Sequence, residues 1–383
     1  MEDKTADWEV FPCDSCGATL RYAPGTESLT CPYCGHVNPI NEIHLGADEL
    51  DYEATLRRLA AAQPAGDDEI VIHCDECGAA YRLEDNTHAG QCEFCGANVV
   101  AETRQHRQLE PQGVLPFQIT REQAETAFQR WLGRLWLAPR GLKQYARHQR
   151  KLSGIYIPYW TFDSESEAAY QGMRGTYYQT PERFVTEVNG RRQVVTRMVT
   201  RVRWTPVAGR VSREFDDVLI EASFSLPRKI LRRLNRWNLK FLKKYNKAYL
   251  SGFKSEMYQA GPRQGFQQAT QIMEEVLRAD IARDIGGDLQ KITRMQSHFD
   301  DVTFKHILLP VWVAAYKYRG KSYRFVVNGQ NGEVQGERPY SGWKILLLIL
   351  AALGLAAGFF WFAENSGMLE QIQYPYQSPM MYP

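Results

Sequence analysis

After Cys95 the chain contains no cysteine; all eight lie in its first quarter. Residues 96–383 therefore cannot be held by disulfides or by a thiolate-bound metal of their own. The opening MEDKTADW has neither a basic n-region nor an apolar h-region, so it does not read as a signal peptide. Residues 364–383 hold no Lys or Arg, and only one long apolar run exists. Catalytic signatures are missing too: there is no HExxH, no GxSxG and no dinucleotide fingerprint. Gly320-Lys321-Ser322 ends like a phosphate-binding loop, but Ala315 stands where that pattern needs Gly, and the stretch reads as a hairpin. Asp216-Asp217 and the pair Asp280 and Asp284 have no metal- or sugar-binding pattern beside them. The expectation is a protein that is not an enzyme.

The apolar run, 345–363 (ILLLILAALGLAAGFFWFA), is uncharged throughout. About 20 apolar residues cross a hydrocarbon core about 30 Å thick. Trp343 on one side and Phe359, Phe360, Trp361 and Phe362 on the other suit the headgroup layers. The alternative, a buried core helix, usually carries a polar stripe. Arg338 and Lys344 precede the span and no base follows it. The positive-inside rule then puts residues 1–342 in the cytoplasm and 364–383 outside, a single-pass protein of the inner membrane. Gly354-x3-Gly358 offers a face on which two anchors could pack as a homo-oligomer. Thiols on the cytoplasmic side stay reduced, which favours metal ligation over disulfides. A net charge of +2 and 44% apolar residues fit a folded body rather than a disordered tether.

The cysteines form two sets of equal spacing. Cys13-x2-Cys16 and Cys31-x2-Cys34 are matched, 61 residues on, by Cys74-x2-Cys77 and Cys92-x2-Cys95. Gly17, Ala18, Arg21 and Gly35 recur as Gly78, Ala79, Arg82 and Gly96, so the segment is duplicated. Two residues between cysteines make a turn that aims both sulfurs at one ion, and two such knuckles complete a tetrahedral site. Each unit is too small for its own core, so the metal would hold it folded. The reading is two zinc ribbons with two Zn2+; iron has the same ligand set. Four thiolates leave no open catalytic position, and His36 and His73 read as solvated neighbours. Residues 74–95 set Arg82 against Asp75, Glu76, Glu84, Asp85 and Glu93, and such acidic ribbons suit protein contact better than phosphate.

The predicted layout is ribbon 1 (1–46), helix and linker (47–68), ribbon 2 (69–110), a cytoplasmic α+β region (111–342), the anchor (343–363) and a short tail (364–383). Residues 48–62 read as a short helix. Residues 120–137 read as an amphipathic helix with a Thr120/Gln123 capping box and Ala124, Phe128, Trp131, Leu132, Leu135 and Trp136 on one face. Several strands follow, with a hairpin at Asn189-Gly190. Residues 265–298 read as helix interrupted at Gly286-Gly287, with Asp284–Asp288 a turn between helices, and 302–336 as strands. Ile157-Pro158-Tyr159-Trp160 resembles Leu309-Pro310-Val311-Trp312, a faint sign of a duplicated unit. Irregular mixing of helix and strand indicates an α+β fold with antiparallel sheet.

Residues 228–254 hold ten Lys or Arg and no acid. Read as a helix, they would place Ile230, Leu231, Leu234, Trp237 and Phe241 between the charges. Three readings compete for Arg232, Arg233, Arg236, Lys240, Lys243, Lys244 and Lys247: a solvated face, contact with anionic membrane lipid, or contact with nucleic-acid phosphate.

WLAPRGLK (136–143), GIYIPYWTFD (154–163), RWTPVAGRV and FDDVLIEAS (within 203–223), DIGGD (284–288) and the long segment 303–341 carry a resemblance that covers most of the chain. It resembles a bacterial membrane-anchored double zinc-ribbon family often labelled primosomal protein N′ (replication factor Y) or superfamily II helicase-like. With no Walker A loop, helicase activity does not carry over. A related Gram-positive membrane protein accompanies phage-shock-type envelope stress systems. The resemblance therefore implies a membrane-tethered adaptor that recruits cytoplasmic protein partners. The alternative is a membrane-associated nucleic-acid-binding factor.

Overall fold

The computed structural model describes residues 11–40, 46–61, 69–73, 80–82, 89–91, 98–104, 109–139, 152–188, 191–234, 236–318 and 321–365. Its frame is a mixed α/β arrangement around a large antiparallel sheet. β10 (Ser153–Val188), β11 (Arg191–Glu221), β14 (Leu289–Tyr318), β15 (Lys321–Asn328) and β16 (Val334–Gly336) lie in the order β11-β10-β14-β15-β16. Short strands β4 (Leu50–Asp51), β9 (Gly113–Val114), β12 (Lys243–Lys244) and β13 (Lys254–Ser255) join its margins. β10 and β11 pair as far as Val188 opposite Arg191, as a hairpin there requires; Asn189-Gly190 themselves lie outside the described residues. The two similar motifs run side by side, with Ile157 opposite Leu309 and Pro158 opposite Leu308.

Alternation of side chains splits the centre of this sheet into two cores. Tyr156, Leu308, Trp312, Phe325 and Val327 face α2 (Arg121–Arg134) and the first cysteine unit. Ile155, Ile157, Tyr159, Ile307, Leu309, Val311, Val313 and Val326 face residues 226–242. A strand covered on both sides reads as a continuous apolar run, and ILLPVWVAA is such a run. α2 has the expected capping box, with Thr120 Oγ1 accepting from Gln123 and Gln123 Oε1 accepting from Thr120. Ala124, Phe128, Leu132 and Leu135 are buried, but Trp136 lies beyond the helix end and is 65% exposed, so it leaves the expected apolar face.

Further along β10 and β14 the same face takes α1 (Tyr52–Ala61) and α4 (Pro262–Ile285). Pro262 opens α4 and Gly286 closes it. Met273, Leu277 and Ile281 are fully buried, each worth about 1.5–3 kcal/mol of apolar burial. The helix stops at Ile285, and 289–298 is the first third of β14 rather than more helix. Asp284–Asp288 therefore turns from helix to strand, not from helix to helix. Gly172 lets the α4 end approach the sheet: a Cβ there would stand 2.8 Å from both Ile285 Cδ1 and the Lys291 carbonyl.

β14 begins at Leu289, opposite Gly175, and α4 ends nearby, yet β10 and β11 extend beyond that point. Residues 176–188 and 191–204 form a two-stranded arm, roughly 40 Å long at about 3.3 Å per residue. On the face that is polar at Glu165, Glu167 and Gln171, the arm exposes Tyr177, Val185, Val194, Met198 and Trp204, interspersed with Gln179, Arg183, Thr196 and Thr200. Its other face carries Arg197, Arg201 and Arg203, with Arg203 over the Tyr178 ring and Arg201 paired with Glu182. The last element, α5 (Gly342–Asn365), is long and apolar enough to cross a membrane, and its apolar side chains are exposed.

His306 is buried in this fold between Trp160 and Tyr258, with Nδ1 bonded to the Leu109 carbonyl. Burial pushes its pKa down to about 4. The unfolded imidazole titrates near 6.5. The unfolded chain thus binds the proton first as pH falls. Stability from this group is full above about pH 6.5 and is lost towards pH 4, by roughly 3 kcal/mol. Urea titrations from pH 7 to 4 should show that loss, and a His306→Gln variant should show less of it; equal slopes would remove His306 as the cause.

Candidate metal centre and the surfaces around it

The first cysteine unit consists of β1 (Arg21–Tyr22), β2 (Ser28–Thr30) and β3 (Val37–Pro39), preceded and interrupted by two knuckles. The knuckles repeat bond for bond. Cys13 N–H donates to Ala18 O and Gly17 N–H to Cys13 O; Cys31 N–H donates to His36 O and Gly35 N–H to Cys31 O. Gly17 (φ +74°) and Gly35 (φ +73°) close the two turns in the left-handed region, where Cβ is disfavoured. The result brings Cys13, Cys16, Cys31 and Cys34 together, every Sγ within 4.8 Å of the others. Cys13–Cys34 is 3.6 Å and Cys16–Cys31 is 3.5 Å. Four sulfurs about 2.3 Å from one ion would be about 3.8 Å apart, so the set fits a tetrahedral thiolate site.

The local field suits it. Backbone N–H groups of Cys34 and Tyr33 pull the Cys31 thiol down to about 6. Cys16 is pulled down by Ala18 N–H, but the thiols of Cys34 and Cys31 outweigh that and push it up to about 12. Four adjacent sulfurs cannot all ionise without a cation between them. His36 is exposed and contributes its carbonyl to the second knuckle. The four cysteines could hold one metal ion.

This unit is part of the body. Tyr22 N–H donates to Ser251 O, Ser251 Oγ donates to Leu20 O, and Gly25 N–H donates to Phe117 O. Cys13, Cys31, Leu20, Tyr22 and Leu29 share a core with Phe117, Tyr156 and Tyr249. Cys74, Cys77, Cys92 and Cys95 lie outside the described residues, but the strands beside them are described. β5 (Glu69–His73), β6 (Ala80–Arg82), β7 (Ala89–Gln91) and β8 (Asn98–Arg104) repeat two of the first unit's pairings at +61, although their order, β6-β5-β8-β7, differs from β1-β2-β3. Pro12 opposite Thr19 becomes His73 opposite Ala80. Ser28 opposite Pro39 becomes Ala89 opposite Val100, and Thr30 opposite Val37 becomes Gln91 opposite Asn98.

A second cluster, Asp163, Asp216 and Asp217, also brings carboxylates within metal-ligand spacing. Here a lysine supplies the cation. Lys305 Nζ lies 3.1 Å from Asp163, 2.9 Å from Asp217 and 3.0 Å from Glu49. Burial pulls this ammonium's pKa down, but hydrogen bonds to Asp217 and Glu49 outweigh it and raise the value. Sequence reading gave no sign of this network, because Glu49 and Lys305 are 256 residues apart.

The basic segment is not one helix. It passes through α3 (Arg228–Leu231), two short 3-10 turns and β12. Ile230, Leu231, Leu234 and Leu242 are buried; Phe241 is 54% exposed. Lys243 pairs with Glu27 at 2.8 Å and Lys244 with Asp48 at 2.7 Å, so both are used inside the molecule. Arg232, Arg233, Arg236, Lys240 and Lys247 are exposed.

The chain is similar to the uncharacterized protein YdjG of Bacillus subtilis (strain 168). The two are 27% identical over 355 residues, covering 91% of this chain and 95% of that one. No family model matches, and no solved structure matches.

Proposed function

We propose that this chain is a membrane-tethered adaptor: a body stapled by two zinc ions, anchored by α5 with residues 1–342 in the cytoplasm, and holding protein partners at the bilayer. The +61 repeat of strand register supports a second four-thiolate site at Cys74, Cys77, Cys92 and Cys95. A closed four-thiolate site is structural rather than catalytic. The resemblance to zinc-ribbon membrane proteins of stress systems points the same way.

The observation that carries the reading is the arm. A two-stranded ribbon has little stability alone, and a projecting ribbon that exposes Tyr177, Val185, Val194, Met198 and Trp204 on one face suits an interaction surface. Strand addition is disfavoured, because Pro181 interrupts one edge and Arg197, Arg201 and Arg203 line the other strand. Docking on the Trp204 face remains. A Trp204→Ser, Met198→Ser, Val194→Thr variant should lose more than tenfold of the partner recovered by affinity purification in detergent, with nuclease present and metal content unchanged. Equal recovery would remove the arm from partner binding. The Arg face of the ribbon favours the second reading, nucleic acid; recovery abolished by nuclease would move the assignment there.

A further inference from the structure

We infer that the basic segment is a lipid-facing surface that seats the body on an anionic leaflet beside the anchor. The inference rests on reading α5 as the membrane span. Arg228, Lys229, Arg232, Arg233, Arg236 and Lys240 are exposed and enter no ion pair among the described residues. Glu221 is an acid close to two of them, Arg228 and Arg232, and it offsets only part of the charge of six exposed cations. The cations cannot rotate inward, because Leu226, Ile230, Leu231 and Leu234 on the same segment are locked into the sheet core.

Position makes lipid the occupant. The segment is bonded along the β15–β16 hairpin, the last element before α5. Arg324 Nη1 donates to Ser225 O at 3.2 Å, and Arg324 also faces Glu337 at 3.8 Å. Asn331 donates to Arg236 O, and Asn238 and Gln330 exchange two bonds. On the opposite side of the same sheet margin, Lys344 Nζ donates to the carbonyls of Trp136 and Ala138. Trp136, Tyr340 and Trp343 are exposed there, the side-chain types that favour a headgroup layer. One margin of the sheet thus carries interfacial aromatics, the root of the anchor and a fixed row of cations. An anionic leaflet attracts such cations, roughly fivefold in occupancy for each one near the surface.

The test is hydrogen exchange of the full chain in nanodiscs of phosphatidylcholine alone or with phosphatidylglycerol. Amides of 226–240 should exchange at least fivefold more slowly in the anionic discs. High salt should remove the difference, as should the variant Arg228→Gln, Arg232→Gln, Arg233→Gln, Arg236→Gln, whose metal content and thermal transition serve as folding controls. Arg197→Gln, Arg201→Gln, Arg203→Gln on the arm should leave it intact. Equal exchange in both discs, or equal slowing in both, would overturn the inference. So would slowing in neutral discs on adding duplex DNA. Failure to enter discs at all would instead overturn the reading of α5, on which this one stands.

Discussion

Replacing Cys16 and Cys34 by Ser should remove one equivalent of metal and lower the main thermal transition by about 10 °C, on the order of 3 kcal/mol or more. These two are the exposed members of the set, so the substitution removes ligation and little packing. The loss should spread beyond the first cysteine unit. Cys13 and Cys31 share a core with Phe117, Tyr156 and Tyr249, and Tyr22 N–H and Gly25 N–H are satisfied by Ser251 and Phe117 of the central body. A metal-dependent small module normally unfolds alone. Here the bonded strands on either side of the junction should loosen with it. Elemental analysis beside calorimetry checks both parts and identifies the ion as zinc or iron. An unchanged transition with unchanged metal content would dismiss the site.

Lys305→Met should cost about 3–5 kcal/mol, because it leaves Asp163, Asp217 and Glu49 facing one another without their shared cation. The pH dependence separates this from a packing defect. Burial raises the Asp163 pKa even with Lys305 present, and without it the carboxylates should take up protons more readily still. The variant should therefore recover part of its stability as pH falls through the carboxylate range. Adding Asp163→Asn and Asp217→Asn to Lys305→Met should restore part of the loss at pH 7. A variant whose deficit is the same at pH 7 and pH 5, and is not relieved by the double Asn change, would show that the network is not what is lost.

Local chemistry carried much of this fold into the sequence. Cysteine spacing, the Thr120/Gln123 box, Asn189-Gly190 and the uncharged run each encode one element within a few residues. What stayed hidden depended on distant parts of the chain. Gly172, Gly175, Pro181, Pro206 and Gly209 look like strand breakers, so β10 and β11 read as several short pieces. In the structure a Cβ at Gly172 would meet Ile285, and one at Gly209 would meet the Tyr170 ring, while Pro181 sits where the ribbon has no outer neighbour. The basic segment suggested a helix because its apolar residues recur every three or four positions. The same spacing is met by a chain that crosses the sheet in short turns and dips Ile230, Leu234 and Leu242 into it. The lysine-centred carboxylate network had no sequence signature, since its members come from separate elements.

β10 runs for 36 residues, with bulges in its ladders near Asp163 and Gln171, a contour of roughly 115 Å that begins in the body of the sheet and ends in the arm. Its ladder bonds run across the strands. A pull on the tip along that direction loads successive rungs together, in shear, whereas a sideways pull peels them one at a time from Val188 and Arg191. The arm is thus stiff to traction along its length and compliant at its end. On the proposed reading, a partner held there would be coupled to α5 through β10 and the neighbouring strands β14, β15 and β16.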